Sequence, residues 1–265
     1  MVRLGAVNYL NVRPLVYGLD ARPDVQLRFD VPSTCARLLA DGEIDLGMVP
    51  SITYADRPGD RIVPGLCIGS DGPVASVALF RRTPIRAIRR IALDTSSRTS
   101  AALVRIVCRR VFDIAPQFEP HGPEIASMLD VADAALLIGD PALFYDPPAG
   151  VEKVDLGAAW SGMTGLPFVW AFWSGRPGAA DVATVALLQQ AAAAGGEHLD
   201  EIAGAYVAAT PDRIPLASRY LRENLVFGLG ARELEGLQTY YREAASLGLL
   251  AAAPEPVFFA SRAGA

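Results

Sequence analysis

The chain has 265 residues, 51% of them hydrophobic and 20% charged, with a formal net charge of −5. That length and apolar content suffice for one large core or two medium ones. The acidic balance excludes a polyanion-binding protein on bulk charge, and no run of about 18 apolar residues offers a membrane span. Charged and polar residues break the opening apolar stretch too early for a signal peptide. The expectation is a cytoplasmic chain with no nucleic-acid or membrane partner.

Val2–Val7 is an apolar run that reads as a buried strand. It ends in Asn8 and Asn11, and Pro14 then opens a predicted helix toward Leu19. Both amides therefore stand just past the carboxyl end of a strand, where open α/β sheets hold their ligands. Val25–Val31 is a second strand, and Pro32-Ser33 starts a helix to Asp41, with Ser33 as its expected cap and Gly42 as its stop. Ile44–Val49 leads to Pro50-Ser51 and another helical turn, and Ile62–Ile68 and Val74–Phe80 read as strands. The strand–helix repeat predicts a mainly parallel sheet with helices on both faces.

The pattern restarts at Ile91–Leu93. Asp94-Thr95-Ser96-Ser97-Arg98-Thr99-Ser100 leads into an apolar-periodic helix ending near Phe112. Gln117–Pro120, Ala134–Ile138, Val151–Asp155 and Phe168–Trp173 are further strands, and Asp140-Pro141 begins a short helix. Beyond Ala179 nearly everything reads as helix: Ala183–Ala194, His198–Ala208, Pro215–Leu225 and Arg232–Leu247. Two α/β units followed by a helical tail predict two lobes. Val74–Phe80 and Phe168–Trp173 are the expected crossings. They divide the chain into a discontinuous first lobe (1–76 plus 172–265) and a second lobe (77–171). This is the layout of a two-lobed periplasmic-binding-protein-like fold of the second type, with a ligand cleft between the lobes.

The richest candidate anion site is Asp94–Ser100. Hydroxyls and unpaired N–H groups meet there at a helix N-terminus, which attracts carboxylates. One hydroxyl suffices for capping, so Ser97, Thr99 and Ser100 are assigned to substrate. Ser51 follows a strand and a proline and is expected on the cleft rim, with Asn8 beside it. Ser76 sits at a crossing, where both lobes meet. His121 lies in a Pro-His-Gly-Pro turn and His198 begins a late helix, so both read as surface residues. No cluster has metal-ligand spacing and no glycine-rich phosphate loop follows the first strand. Neither a metal nor a cofactor is expected. Cys35, Cys67 and Cys108 show no CxxC spacing and read as buried thiols.

Val7-Asn8-Tyr9-Leu10-Asn11-Val12-Arg13-Pro14-Leu15 resembles the opening signature of chorismate dehydratases of the futalosine route to menaquinone. Asp45–Ser51, Ser76-Val77, Ala92-Leu93-Asp94 with Thr99-Ser100, Ile138-Gly139-Asp140, Asp155-Leu156-Gly157 with Trp160, Gly165–Ala171, and Tyr220–Asn224 with Leu229-Gly230 follow in order. The resemblance implies a hydro-lyase that removes water from chorismate to give 3-[(1-carboxyvinyl)oxy]benzoate without a cofactor. It implies Asn11 and Ser76 as catalytic residues beside the reacting centre, and Asn8, Ser51, Ser97, Thr99 and Ser100 as substrate contacts. No protein base stands out, which suggests proton removal assisted by the substrate. The sister family, dihydroxynaphthoate synthase, has a catalytic histidine about where this chain has Gly139. A non-catalytic binder of a small aromatic acid is the alternative from a different class. Monomer and homodimer both remain open.

Overall fold

A computed structural model describes residues 1–261; the last four positions of the expected first lobe lie outside them. The chain opens with β1 (Val2–Val7), and a 3-10 turn over Leu10–Val16 follows. Next come β2 (Val25–Asp30), α1 (Pro32–Asp41) and β3 (Leu46–Pro50). Leu4–Val7 of β1 and Leu46–Pro50 of β3 are buried without a break, the pattern of strands covered on both faces. In α1, Pro32 takes the first helical position, where its missing N–H costs nothing, and Gly42 terminates the helix at φ +75°. Ser33 therefore lies inside the helix and its hydroxyl makes no cap bond. The first 3-10 turn begins at Leu10, so Pro14 sits within it rather than opening a helix.

A second 3-10 turn (Ser51–Asp56) leads to β4 (Arg61–Ile62), β5 (Gly65–Ser70) and β6 (Val77–Arg81). Pro64 separates β4 from β5, splitting the single strand expected there. Val74–Ser76, expected to be strand, is a turn, and Ala75 adopts φ +61°. The middle of the chain forms β7 (Arg90–Asp94), α2 (Arg98–Arg110), β8 (Gln117–His121), α3 (Ile125–Val131), β9 (Ala134–Ile138), α4 (Gly139–Leu143), β10 (Glu152–Asp155) and α5 (Leu156–Thr164). Then come β11 (Phe168–Gly175), α6 (Val182–Glu197), α7 (Leu199–Tyr206), α8 (Ile214–Arg219), a π-turn (Tyr220–Asn224), β12 (Val226–Leu229) and α9 (Ala231–Ser246). The sequence missed α3, α5 and β12, which are short.

Two sheets result. The first has seven strands in the order β12-β5-β11-β3-β1-β2, with β4 beside β11. The second has five, in the order β10-β6-β9-β7-β8. β1 pairs in parallel with β2 and β3, and β7 with β8 and β9. β11 and β12 join the first sheet antiparallel, and β6 and β10 the second. Each sheet is thus mixed rather than mainly parallel, because the strands next to the crossings run back against their neighbours. Phe168 already pairs with Ser70, so residues 168–171, expected in the second lobe, belong to the first sheet. The return crossing lies before β11, in the Gly165-Leu166-Pro167 segment.

One apolar cluster runs through both lobes, and a smaller one (Phe80, Met128, Leu129 and neighbours) fills the outer face of the second sheet. Cys35, Cys67 and Cys108 are buried and free. Burial pushes the Cys35 and Cys108 thiols up to about 12, and Cys67 rises likewise. No helix among the described residues is long and apolar enough to cross a membrane.

Candidate active site

A cleft enclosing about 530 Å³ lies between the two sheets, part of it open to solvent. Its walls are the end of β1 and the turn after it, the 74–77 turn, the start of α2, the β9–α4 junction and β11. Its lining includes no charged side chain. The polar groups facing it are Tyr9, Asn11, Ser76, Ser97 and Ser100, with Trp170 as an aromatic wall.

Asn11 Oδ1 is buried and has no hydrogen-bond partner among the described residues. A buried acceptor left bare costs free energy unless a ligand or water satisfies it, so Asn11 offers a ready-made acceptor. Ser76 is 1% exposed, and its Oγ lies 2.7 Å from the Tyr220 hydroxyl. The turn that presents Ser76 is anchored from three sides. The Asp155 carboxylate accepts the Val74 and Ala75 N–H groups at 3.0 and 2.7 Å. Asn224 donates to the Pro73 carbonyl at 2.8 Å. The Ser76 N–H closes on the Val74 carbonyl at 2.7 Å. A left-handed alanine costs about 1–2 kcal/mol, and the two carboxylate bonds offset that strain.

Across the cleft, Ser97 caps α2, accepting the Ser100 N–H at 3.3 Å. The two hydroxyls lie 3.2 Å apart, and both border the cleft at the positive end of the helix. The structure thus brings Asn11, Ser76, Ser97 and Ser100 together around one space. It does not bring in the other three predicted contacts. Thr99 points away, where its Oγ1 accepts the Ile52 N–H at 3.2 Å and its carbonyl accepts the Tyr240 hydroxyl at 2.9 Å. Ser51 donates to the Val169 carbonyl at 2.8 Å, and its own carbonyl accepts the Tyr241 hydroxyl at 2.8 Å. These two side chains tie α2 to the first lobe beneath the cleft. Capping alone does not explain the run of hydroxyls, but this tie accounts for Thr99. Asn8 is exposed, and its Oδ1 accepts from Arg13 at 2.7 Å. That guanidinium stacks 4.2 Å from the Phe29 ring centroid, outside the cleft.

A second tie lies on the opposite side. Asp140 accepts the Leu10 N–H at 3.1 Å on one carboxylate oxygen and the Tyr206 hydroxyl on the other. Burial raises the Asp140 carboxyl above its ordinary value, against the lowering effect of these two donors. Burial also raises the Tyr9 phenol, with Ser96 acting in the opposite direction. Next to Asp140, Gly139 holds φ +64°, and a Cβ there would stand 2.7 Å from the Tyr9 ring. Tyr9, Asp140, Asp155 and Tyr220 escaped assignment from sequence. Tyr9 lies between the two asparagines of the opening motif, and Asp140, Asp155 and Tyr220 lie in other matched motifs. None of these spacings says which residue faces the cleft.

A family model for menaquinone biosynthesis matches residues 2–246. The chain is 31% identical over 220 residues to the chorismate dehydratase of Thermus thermophilus, covering 76% of this chain and 80% of that one. Among solved structures, a structural-genomics protein of Archaeoglobus fulgidus superposes with a TM-score of 0.69 at 16% identity, covering 94% of this chain and 98% of that one. The periplasmic aliphatic sulphonate binding protein of Escherichia coli superposes with a TM-score of 0.63 at 17% identity, covering 100% and 95%. These two likenesses identify the fold as that of periplasmic binding proteins.

Proposed function

The chain belongs to the menaquinone biosynthesis family, and on that premise we propose that it is a chorismate dehydratase. It removes water from chorismate to give 3-[(1-carboxyvinyl)oxy]benzoate. The observation that carries this reading is the composition of the cleft: a bare buried amide acceptor and a serine hydroxyl on one wall face a hydroxyl-lined helix N-terminus on the other. Chorismate carries two carboxylates and one hydroxyl, which need such partners. Loss of hydrogen from C3 and hydroxide from C4 yields an aromatic ring. The driving force lies in the substrate, and fixing its geometry is the main task left to the protein.

In this reading Asn11 and Ser76 hold the reacting edge. Ser76 donates to the departing hydroxyl, and Asn11 accepts from the substrate. Ser97, Ser100 and the first N–H groups of α2 hold a carboxylate. With no charged side chain on the lining, the proton at C3 passes to the enolpyruvyl carboxylate of the substrate itself. The carboxylate then passes that proton to the departing hydroxide, so one C–H and one C–O bond break, one O–H bond and one ring π bond form, and one water is released. The steric contact at Gly139 supports this reading over the sister chemistry, because a histidine there would drive Tyr9 from its position. The cellular setting that fits is the cytoplasmic futalosine route.

The test is incubation of purified protein with chorismate, followed by mass analysis. A product lighter by one water, formed with turnover, supports the reading. Chorismate bound but recovered intact replaces it with a binding protein. Asn11→Ala and Ser76→Ala should each lower kcat about 100-fold, the scale for losing a hydrogen bond made mainly in the transition state. Full turnover by either variant refutes the residue assignments.

A further inference from the structure

Tyr220 is a buried polar group next to the cleft. Its ring is 1% exposed, and it opens the π-turn at Tyr220–Asn224 in the C-terminal half of the chain. Single π-turns often mark functional positions. Its hydroxyl lies 2.7 Å from Ser76 Oγ, across 144 residues of sequence. It does not itself line the cleft, whereas Ser76 and Asn11 both do. A buried phenol needs an acceptor for its proton. Ser76 Oγ is the only acceptor the structure gives it among the described residues. Ser76, by contrast, borders the cleft and can aim its own proton there.

We propose that Tyr220 is a positioning residue that fixes the donor–acceptor polarity of the reacting edge. Its O–H donates to Ser76 Oγ, which turns the Ser76 proton into the cleft. Burial pushes the phenol well above its ordinary value, so it keeps its proton. The arrangement presents one donor and one acceptor to the substrate without a charge on either. The assignment rests on the dehydratase reading.

The experiment is Tyr220→Phe, which keeps the ring and removes only the hydroxyl, assayed for loss of water from chorismate. The expected result is a kcat lower by about 10- to 100-fold with KM within about 3-fold, the scale for a misdirected hydrogen bond to developing charge. The double variant Ser76→Ala/Tyr220→Phe should be no slower than Ser76→Ala alone, because Tyr220 acts through Ser76. A purely structural role predicts the opposite, with multiplied losses that track a lowered Tm. Wild-type kcat in Tyr220→Phe, or multiplied losses in the double variant, overturns the inference while leaving the dehydratase reading intact. A wild-type protein that does not dehydrate chorismate overturns both. An NMR measurement on the wild-type protein needs no variant: the Tyr220 hydroxyl proton should exchange slowly and show a cross-peak to the Ser76 β-protons. Exchange at the rate of a solvent-exposed phenol also overturns the inference.

Discussion

Gly139→Ala tests the cleft by adding one methyl group. Gly139 sits at φ +64°, so alanine there pays about 1–2 kcal/mol for a left-handed backbone. Its Cβ would also lie 2.7, 2.8 and 2.9 Å from three carbons of the Tyr9 ring, inside ordinary contact. Overpacking of a well-filled site costs about 1–3 kcal/mol. Tyr9 is only half-buried and can yield, which favours the lower end of that range. The combined loss is about 2–4 kcal/mol, or a Tm lowered by roughly 5–10 °C for a chain of this size. The ring that yields is itself a wall of the cleft. A displacement approaching 1 Å at a reacting site costs about 100-fold in rate. Differential scanning calorimetry and the chorismate assay read both effects on one preparation. Wild-type Tm and wild-type turnover in Gly139→Ala would refute the packing described here and, with it, the steric argument against a histidine at this position.

Thr99→Val keeps the shape of the side chain but leaves the buried Ile52 N–H without its acceptor. It should destabilise by about 1–3 kcal/mol and leave kcat within about 2-fold, measured by denaturant melts and the same assay; Ser51→Ala should behave alike, and a kcat collapse without loss of stability would return these residues to the site. Asp140 has a folded-state carboxyl raised by burial, so its protonated form is the one the fold favours. The stability it contributes is therefore fully present below its unfolded value, near 3.8, and declines as pH rises through the raised folded value. Against the non-titrating Asp140→Asn, the wild type should lose relative Tm as pH rises through the range above 4. A wild type that gains relative Tm over that range contradicts the assignment of burial as the dominant effect.

Much of this architecture is legible in residue order. The Val2–Val7 run, the proline–glycine bracket around α1 and the apolar periodicity of α2 each carry a local physical signal, and each element stands where that signal puts it. Ser97, assigned to substrate from sequence, is also the cap of α2, a local device that any hydroxyl in that run could have supplied. The exchange of partners at Ser51 and Thr99 was not legible, because the side of a helix that a hydroxyl faces depends on how the lobes meet. The left-handed Ala75 carries no sequence signature at all. Asp155 imposes it from 80 residues away, by binding two consecutive N–H groups. The approach of Tyr220 to Ser76 is equally remote from any pattern in the chain. Sequence placed the strand ends that frame the cleft, and tertiary contacts chose which of their side chains enter it.

The three cysteines have a practical meaning. Cys35 lies on α1 and Cys67 on β5, both in the first lobe, while Cys108 lies on α2 in the second. All three are fully enclosed, and thiols held at such high pKa are poor nucleophiles near neutrality. A thiol reagent therefore reaches them only when the surrounding structure opens. Their labelling rates, separated by peptide mass, form a natural clock for each half of the molecule. The chain carries its own lobe-by-lobe gauge of opening, with no engineered label.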